Sequence, residues 1–278
     1  AILETQTAVS RAMRTIRNEF GTTAGVAELL TNAINKMRST LGTAAAETGE
    51  MLYQLGSAGL TATESLAALN STMDNVVGSE ADMEQITNLV AGVYNFSDQI
   101  LKVDGRLTTV SATWDGYGKS VVEAATETEK FQHINDLLIQ TFDAHQAEMD
   151  QIRDGLKFMA QSAKVANVSL TEQLGILATL HDHLIKAGAA GRGMRVIFSK
   201  FTKDAPKIAK AFDIPIDMNK PLDFMNIIKE LHGQFKSNVV TVEKLGQVFK
   251  RLGLRGTEPL LVLIKYFEND EIITACYN

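Results

Sequence analysis

Apolar residues recur at helical spacing along almost the whole chain, and that rhythm commits it to packed α-helices. Val26, Leu29, Leu30, Ala33, Ile34, Met37 and Leu41 fall at i, i+3, i+4, i+7, i+8, i+11 and i+15, one stripe that Gly42 closes. Val9, Ala12, Met13, Ile16 and Phe20 make a similar stripe ending at Gly21. Further stripes run through Leu66, Leu69, Met73, Val76 and Val77, then Met83, Ile86, Leu89, Val90 and Val93. Ile134, Leu137, Leu138 and Phe142 follow, then Met149, Ile152, Leu156, Met159 and Ala163. After Gly191 come Met194, Ile197, Phe198 and Phe201, then Leu222, Met225, Ile228, Leu231 and Phe235, then Val242, Leu245, Val248, Phe249 and Leu252. Each stripe is narrow and backed by a polar face, so each helix buries one side against a neighbour. Four prolines and 6% aromatics, against plentiful Ala, Leu, Met and Glu, favour the same state.

Start signals fall where the stripes begin. Thr61-Ala62-Thr63-Glu64 and Ser169-Leu170-Thr171-Glu172 both read as capping boxes, and Pro221 sits where a first-turn proline is tolerated. The two boxes are related by a shift of 108 positions, which also lays Met51 on Met159, Ala58 on Ala166, Leu66 on Leu174 and Leu69 on Leu177. Either one helix–turn–capped-helix unit occurs twice, or two capped amphipathic helices resemble each other by composition. Leu101 to Gly118 breaks the helical rhythm: it is β-branched and aromatic and contains Asp104-Gly105 and Asp115-Gly116, so a hairpin or loop is expected. Ile214-Pro215-Ile216 reads as a second extended piece.

The expected fold class is therefore all-α, an array of short antiparallel amphipathic helices in two related modules with a small β-hairpin insertion. The expected boundaries are a helical segment over 1–50, a first module over 51–97, an insertion over 98–131, a second module over 132–267 and a tail over 268–278. An opening without Met, and an end at Tyr277-Asn278, lead us to expect a piece of a longer chain.

Charge and chemistry exclude several classes. A net charge of −6 disfavours nucleic-acid binding, which needs cations to displace phosphate counterions, and it disfavours anionic lipid. The longest aliphatic run, Leu260 to Ile264, is far short of the roughly 20 residues that cross a bilayer. Cys276 stands alone, so no disulfide framework and no cysteine zinc site is expected. Gly116-Tyr117-Gly118-Lys119-Ser120 imitates the end of a phosphate-binding loop, but Thr113 stands where that pattern needs glycine. A loop leading into a helix capped by Ser120 and Glu123 is the expectation there. His181 and His183 lie two apart, about 200° around a helix, so one ion cannot easily reach both; solvated histidines are expected. No Gly-x-Ser-x-Gly and no HExxH occurs. No catalytic, cofactor-binding or metal-binding residue is expected, and no cofactor. Lys186 to Arg195 (KAGAAGRGMR) could bind a phosphate, but the helices around it favour a turn with small residues for close backbone approach, and Arg251 to Gly256 (RLGLRG) reads as a similar small basic turn.

In order and spacing these segments resemble the core region of tailed-bacteriophage tape measure proteins. The run Val168-Ser169-Leu170-Thr171-Glu172, the glycine segment Lys186 to Gly193, the helix to Phe201, and Asp213 to Asp217 with Lys220-Pro221-Leu222-Asp223 carry the resemblance, completed by Leu245 to Phe249 and Gly253-Leu254-Arg255-Gly256. Leu55 to Thr61 with Glu64-Ser65-Leu66 resembles the family's first capped helix. The likeness covers roughly Met51 to Ile264, and the 98–131 segment looks like an insertion.

The resemblance implies a non-enzymatic virion structural protein. It would set tail length during assembly and occupy the tail tube lumen or baseplate hub at the tail tip, after synthesis in the host cytoplasm, until it leaves with the DNA. The implied partners are copies of itself (a homo-oligomer, trimer favoured), the tail tube protein, baseplate hub proteins and tail assembly chaperones, with no specific nucleic acid and no membrane span. A helical adaptor or chaperone that binds amphipathic partner helices is the alternative.

Overall fold

A computed structural model describes residues 28, 31, 32, 35, 45–78, 86–94, 111–114, 120–123, 127–145, 149–216, 222–254 and 257–266. The stripes from Val9 to Phe20 and from Val26 to Leu41 lie outside the described residues. The fold is all-helical, with one short strand pair inserted. In order it runs α1 (Ala45–Ser57), α2 (Ala62–Gly78), α3 (86–94), β1 (Ser111–Trp114), β2 (Ser120–Glu123), α4 (Glu127–His145), α5 (Met149–Val165), α6 (Leu170–Asp182), α7 (Ala187–Phe212), α8 (Phe224–Lys236), α9 (Val242–Arg251) and α10 (Glu258–Tyr266). The chain divides into two compact units, 1–95 with 111–136, and 96–110 with 137–278.

In the first unit α1 turns into α2 through Gly59, held at φ +94°, a conformation an L side chain rarely adopts. The Thr61 amide donates to Glu64 Oε2 at 2.7 Å and the Glu64 amide to Thr61 Oγ1 at 3.3 Å, which closes the capping box. The same carboxylate accepts from Tyr94 Oη at 2.9 Å, and the Tyr94 ring stacks on Phe131 at 4.4 Å. Leu52, Leu55, Leu69, Val90 and Ile134 are buried, and so are the hydroxyls of Thr48, Ser65, Ser71 and Thr72. Asn135 Nδ2 donates to Ser71 Oγ. β1 and β2 pair antiparallel, Ser111 opposite Glu123 and Trp114 opposite Ser120. Ser120 and Glu123 therefore belong to a strand, not to a helix start: the β-branched Val121 and Val122 between them favour a ladder.

In the second unit the glycine segment is not a turn. Residues 187–195 are the first turns of α7, which continues to Phe212, and the connection after α6 is the short stretch 183–186. Packing explains why glycine is kept inside this helix against its low propensity. A Cβ on Gly191 would lie 2.2 Å from the Gly155 carbonyl oxygen, so α5 and α7 touch backbone to backbone. A Cβ on Gly155 would meet Leu177 of α6 at 2.6 Å, and one on Gly193 would meet Pro259 of α10 at 2.9 Å. Beyond this crossing Met194, Ile197, Phe198 and Phe201 are all buried. Phe198 and Phe201 meet Phe224 of α8 edge to face at 4.8 and 5.3 Å, each pair contributing about 0.5–1.5 kcal/mol beyond burial. Phe224 thus sets the phase of α8: its buried face is Phe224, Ile227, Ile228 and Leu231, whereas Leu222, Met225 and Phe235 of the predicted stripe are only half-buried. In α9 Leu245 and Phe249 are buried and Val242 is exposed. His232 Nδ1 donates to the Ile264 carbonyl at 2.8 Å and ties α8 to α10.

At the positions related by the 108-residue shift the same turn bonds form. Ala58 N–Gln54 O, Gly59 N–Gly56 O and Leu60 N–Leu55 O in the first unit correspond to Ala166 N–Ser162 O, Asn167 N–Lys164 O and Val168 N–Ala163 O in the second. Gly59 and Asn167 (φ +55°) are the left-handed residues of the two turns. The second capping box repeats the first, with Ser169 N to Glu172 Oε2 at 2.7 Å and Glu172 N to Ser169 Oγ at 3.2 Å. The same three bonds also end α6 (at His183, Leu184 and Ile185) and α9 (at Leu252, Gly253 and Leu254), so they mark a helix ending used throughout the second unit, and the two capped pairs share it.

Two features depart from regular geometry. At Asp204 α7 kinks, with φ −107° and ψ 18°, just before Pro206, which lacks the amide the helix would use. Asp204 is buried between Lys207 at 2.7 Å and Lys200 at 3.7 Å. At the end of α6, Leu184 adopts φ +63° while 93% exposed, where the other left-handed helix ends described carry Gly, Asn or Asp.

Gly191→Ala is expected to destabilise the protein by more than about 2 kcal/mol, because its methyl meets backbone. Gly246→Ala, with open space around its Cβ, is expected to stabilise by up to about 1 kcal/mol. Urea melts of the two variants check both signs. The Lys207 hydrogen bond, outweighing burial, holds the Asp204 carboxyl below its ordinary range, helped by Lys200 and Lys203. Burial raises Glu64, but the Thr61 amide and hydroxyl, Tyr94 and Lys130 outweigh it and leave that carboxyl lowered too. Both groups bind protons more readily unfolded, so they stabilise above their unfolded pKa values and lose that contribution as pH falls through the folded ones. Thermal midpoints should therefore drop between about pH 5 and 3, with a shallower drop in Asp204→Asn and Glu64→Gln.

Candidate functional site

Helix geometry disperses the residues whose chemistry might have been used together. Asp115 to Lys119 and Cys276 lie outside the described residues, and Ser120 opens β2. His181 and His183 end α6. His183 is half-buried: Nδ1 donates to the Thr179 carbonyl at 2.9 Å and the ring lies 3.9 Å from that of Tyr266. A packed C-cap histidine replaces the solvated one expected. Gly253, at φ +68°, ends α9; Arg255 and Gly256 lie outside the described residues. Among the described residues no group of three or more His, Cys, Asp or Glu is placed to hold a metal ion, and no helix is long and apolar enough to cross a membrane.

The chemistry that does converge is charge on one helix. From Ala187 to Phe212, α7 carries Arg192, Arg195, Lys200, Lys203, Lys207 and Lys210 against Asp204 alone, a net +5 within a chain of net −6. The Arg192 guanidinium lies over the Phe158 ring at 4.9 Å, and the residue is exposed. Arg195, Lys203, Lys207 and Lys210 are exposed, while Met194, Ile197, Phe198 and Phe201 anchor the opposite face. Arg195, Val196, Ser199, Lys200 and Lys203 line a shallow open groove. Sequence reading singled out the basic residues near the glycines and passed over those from Lys200 onward. Their spacing of three or four residues, on the polar side of the Met194–Phe201 stripe, is the signal that finds them. Such a surface can hold an anionic partner by position and charge, and it presents no nucleophile–base pair.

The sequence has counterparts among phage tail proteins. The family model described as phage-related minor tail protein matches residues 31–255, most of the chain. The probable tape measure protein of Escherichia phage P2 is 30% identical over 132 residues, which is 45% of this chain and 16% of that protein. The chain thus spans a small fraction of the relative's length. No solved structure matches it. Both names denote tail components and neither names an enzyme. With a family match over residues 31–255, the chain belongs to the phage-related minor tail protein family.

Proposed function

We propose that this chain is a compact, non-enzymatic module of a tape measure protein, which sets tail length during assembly in the host cytoplasm. Within the virion it occupies the tube lumen or the baseplate hub at the tail tip until it leaves with the DNA. The observation that carries this reading is the likeness to the P2 probable tape measure protein, over a stretch that is a minor part of that longer chain. A ruler must be a continuous rod, because helix length grows by about 1.5 Å per residue. The longest helix described here, α7, has 26 residues and is kinked, and the others are shorter and separated by turns. The module therefore acts by shape and contact beside the measuring segment. Its partners in this reading are copies of itself, the tail tube protein, baseplate hub proteins and tail assembly chaperones. Its overall acidity keeps it from adhering to the genome that follows it.

Tail lengths measured by electron microscopy test the reading in a phage that carries the chain. A helical insertion of about 28 residues in a rod segment of the same protein should lengthen tails by about 42 Å, whereas deletion of the module should abolish tails without shortening them in proportion. Tails unchanged by both alterations would remove the tape measure reading. Self-association is checked by light scattering coupled to gel filtration. A discrete trimer is expected; a monomer at all concentrations would favour a helical adaptor that works with partner helices.

A further inference from the structure

We propose that the solvent-facing side of α7 is a docking surface for an acidic amphipathic helix of a partner protein, gripped by Arg195 and Lys203 around Val196. The inference does not depend on the tape measure reading. Charge is its first support. Outside α7 the chain carries −11, so a +5 helix is a local inversion of the molecule's field. Like charges three and four residues apart weaken a free helix, so this row of cations costs the isolated helix stability and leaves its positive charge to be met from outside.

The internal partners are used up. Asp204 takes Lys207 and Lys200, and Arg192 rests on Phe158. Arg195 and Lys203 make no ion pair with a described residue, although both are exposed in the same groove. The helix that bears them is already fixed by its buried face, so docking there orders little that was free.

The surface also discriminates between kinds of anion. Val196 is 38% exposed between the cations, and an isopropyl group in that place suits an apolar side chain of a partner helix, not a phosphate chain. No aromatic residue stands among the groove residues to stack a base. The chain's net negative charge opposes the long-range approach of a nucleic acid, while a helix with one acidic stripe needs only short-range complementarity.

The test titrates the intact chain with a fluorescent synthetic helix of about 21 residues, Leu on one face flanked by Glu, beside a peptide of the same composition in scrambled order and a duplex DNA of about 20 base pairs. Saturable binding of the amphipathic peptide is expected. It should weaken about ten-fold or more in Arg195→Glu/Lys203→Glu and in Val196→Asp, and stay unchanged in Lys229→Glu on α8. Circular dichroism melts establish that the variants are folded. Equal binding of the scrambled peptide, equal loss in Lys229→Glu, absence of peptide binding, or tighter binding of DNA through the same residues would each overturn the proposal.

Discussion

Where α5 crosses α7, Gly155 and Gly191 meet backbone to backbone, and the arrangement of helices inside the second unit follows from that contact. Helix axes usually stay 8–10 Å apart because side chains intervene. Removing both side chains at the crossing lets α7 sink onto α5, with Leu177 of α6 and Pro259 of α10 closing over the neighbouring glycines. Seated this way, α7 turns Phe198 and Phe201 onto Phe224, and so fixes α8 as well. The same seating presents its opposite side, with the cations, to solvent. Core and surface chemistry on this helix are two results of one packing event.

What could be read from the amino-acid order, and what could not, divides by the range of the interaction. Capping boxes are local: Thr61 with Glu64, and Ser169 with Glu172, are three residues apart, and the structure closes both as predicted. Stripes with an unambiguous phase, such as Ile152, Leu156, Met159 and Ala163, are buried as expected. The glycine segment was misread as a turn because propensity counts glycine as a breaker, while its packing partner Gly155 lies more than thirty residues upstream. The phase of α8 was misjudged for the same reason, since Phe198 and Phe201 select Phe224 from another helix. Ser120 offered a plausible cap, and only its pairing opposite Trp114 decided for a strand. The α7 surface was partly legible: the bases near the glycines stood out, and the rest emerged once the helix was known to run to Phe212.

Two helix pairs of this chain enter their second helix by the same turn and cap yet carry different surfaces. Both copies keep the backbone bonds of the turn and the reciprocal cap, which govern how one helix enters the next. They differ in what surrounds the cap: Glu64 also holds Tyr94, whereas the second copy is extended by the long, cationic α7. Within this chain, then, the turn and cap are common to both helix pairs and the outer faces differ.

The interior of the first unit has a consequence for temperature. Among the described residues Thr48, Ser65, Ser71, Thr72, Thr87 and Asn135 are buried there beside Leu52, Leu55 and Val90, and the second unit likewise buries Thr141, Ser169, Thr171, Gln173, Thr179 and Asp204 among its phenylalanines and aliphatic groups. Exposing apolar surface raises the heat capacity of unfolding and exposing polar surface lowers it. Each hydroxyl that sits inside therefore offsets part of the curvature with temperature that the neighbouring aliphatic and aromatic side chains impose, and warming or cooling changes the stability less than a wholly apolar interior would.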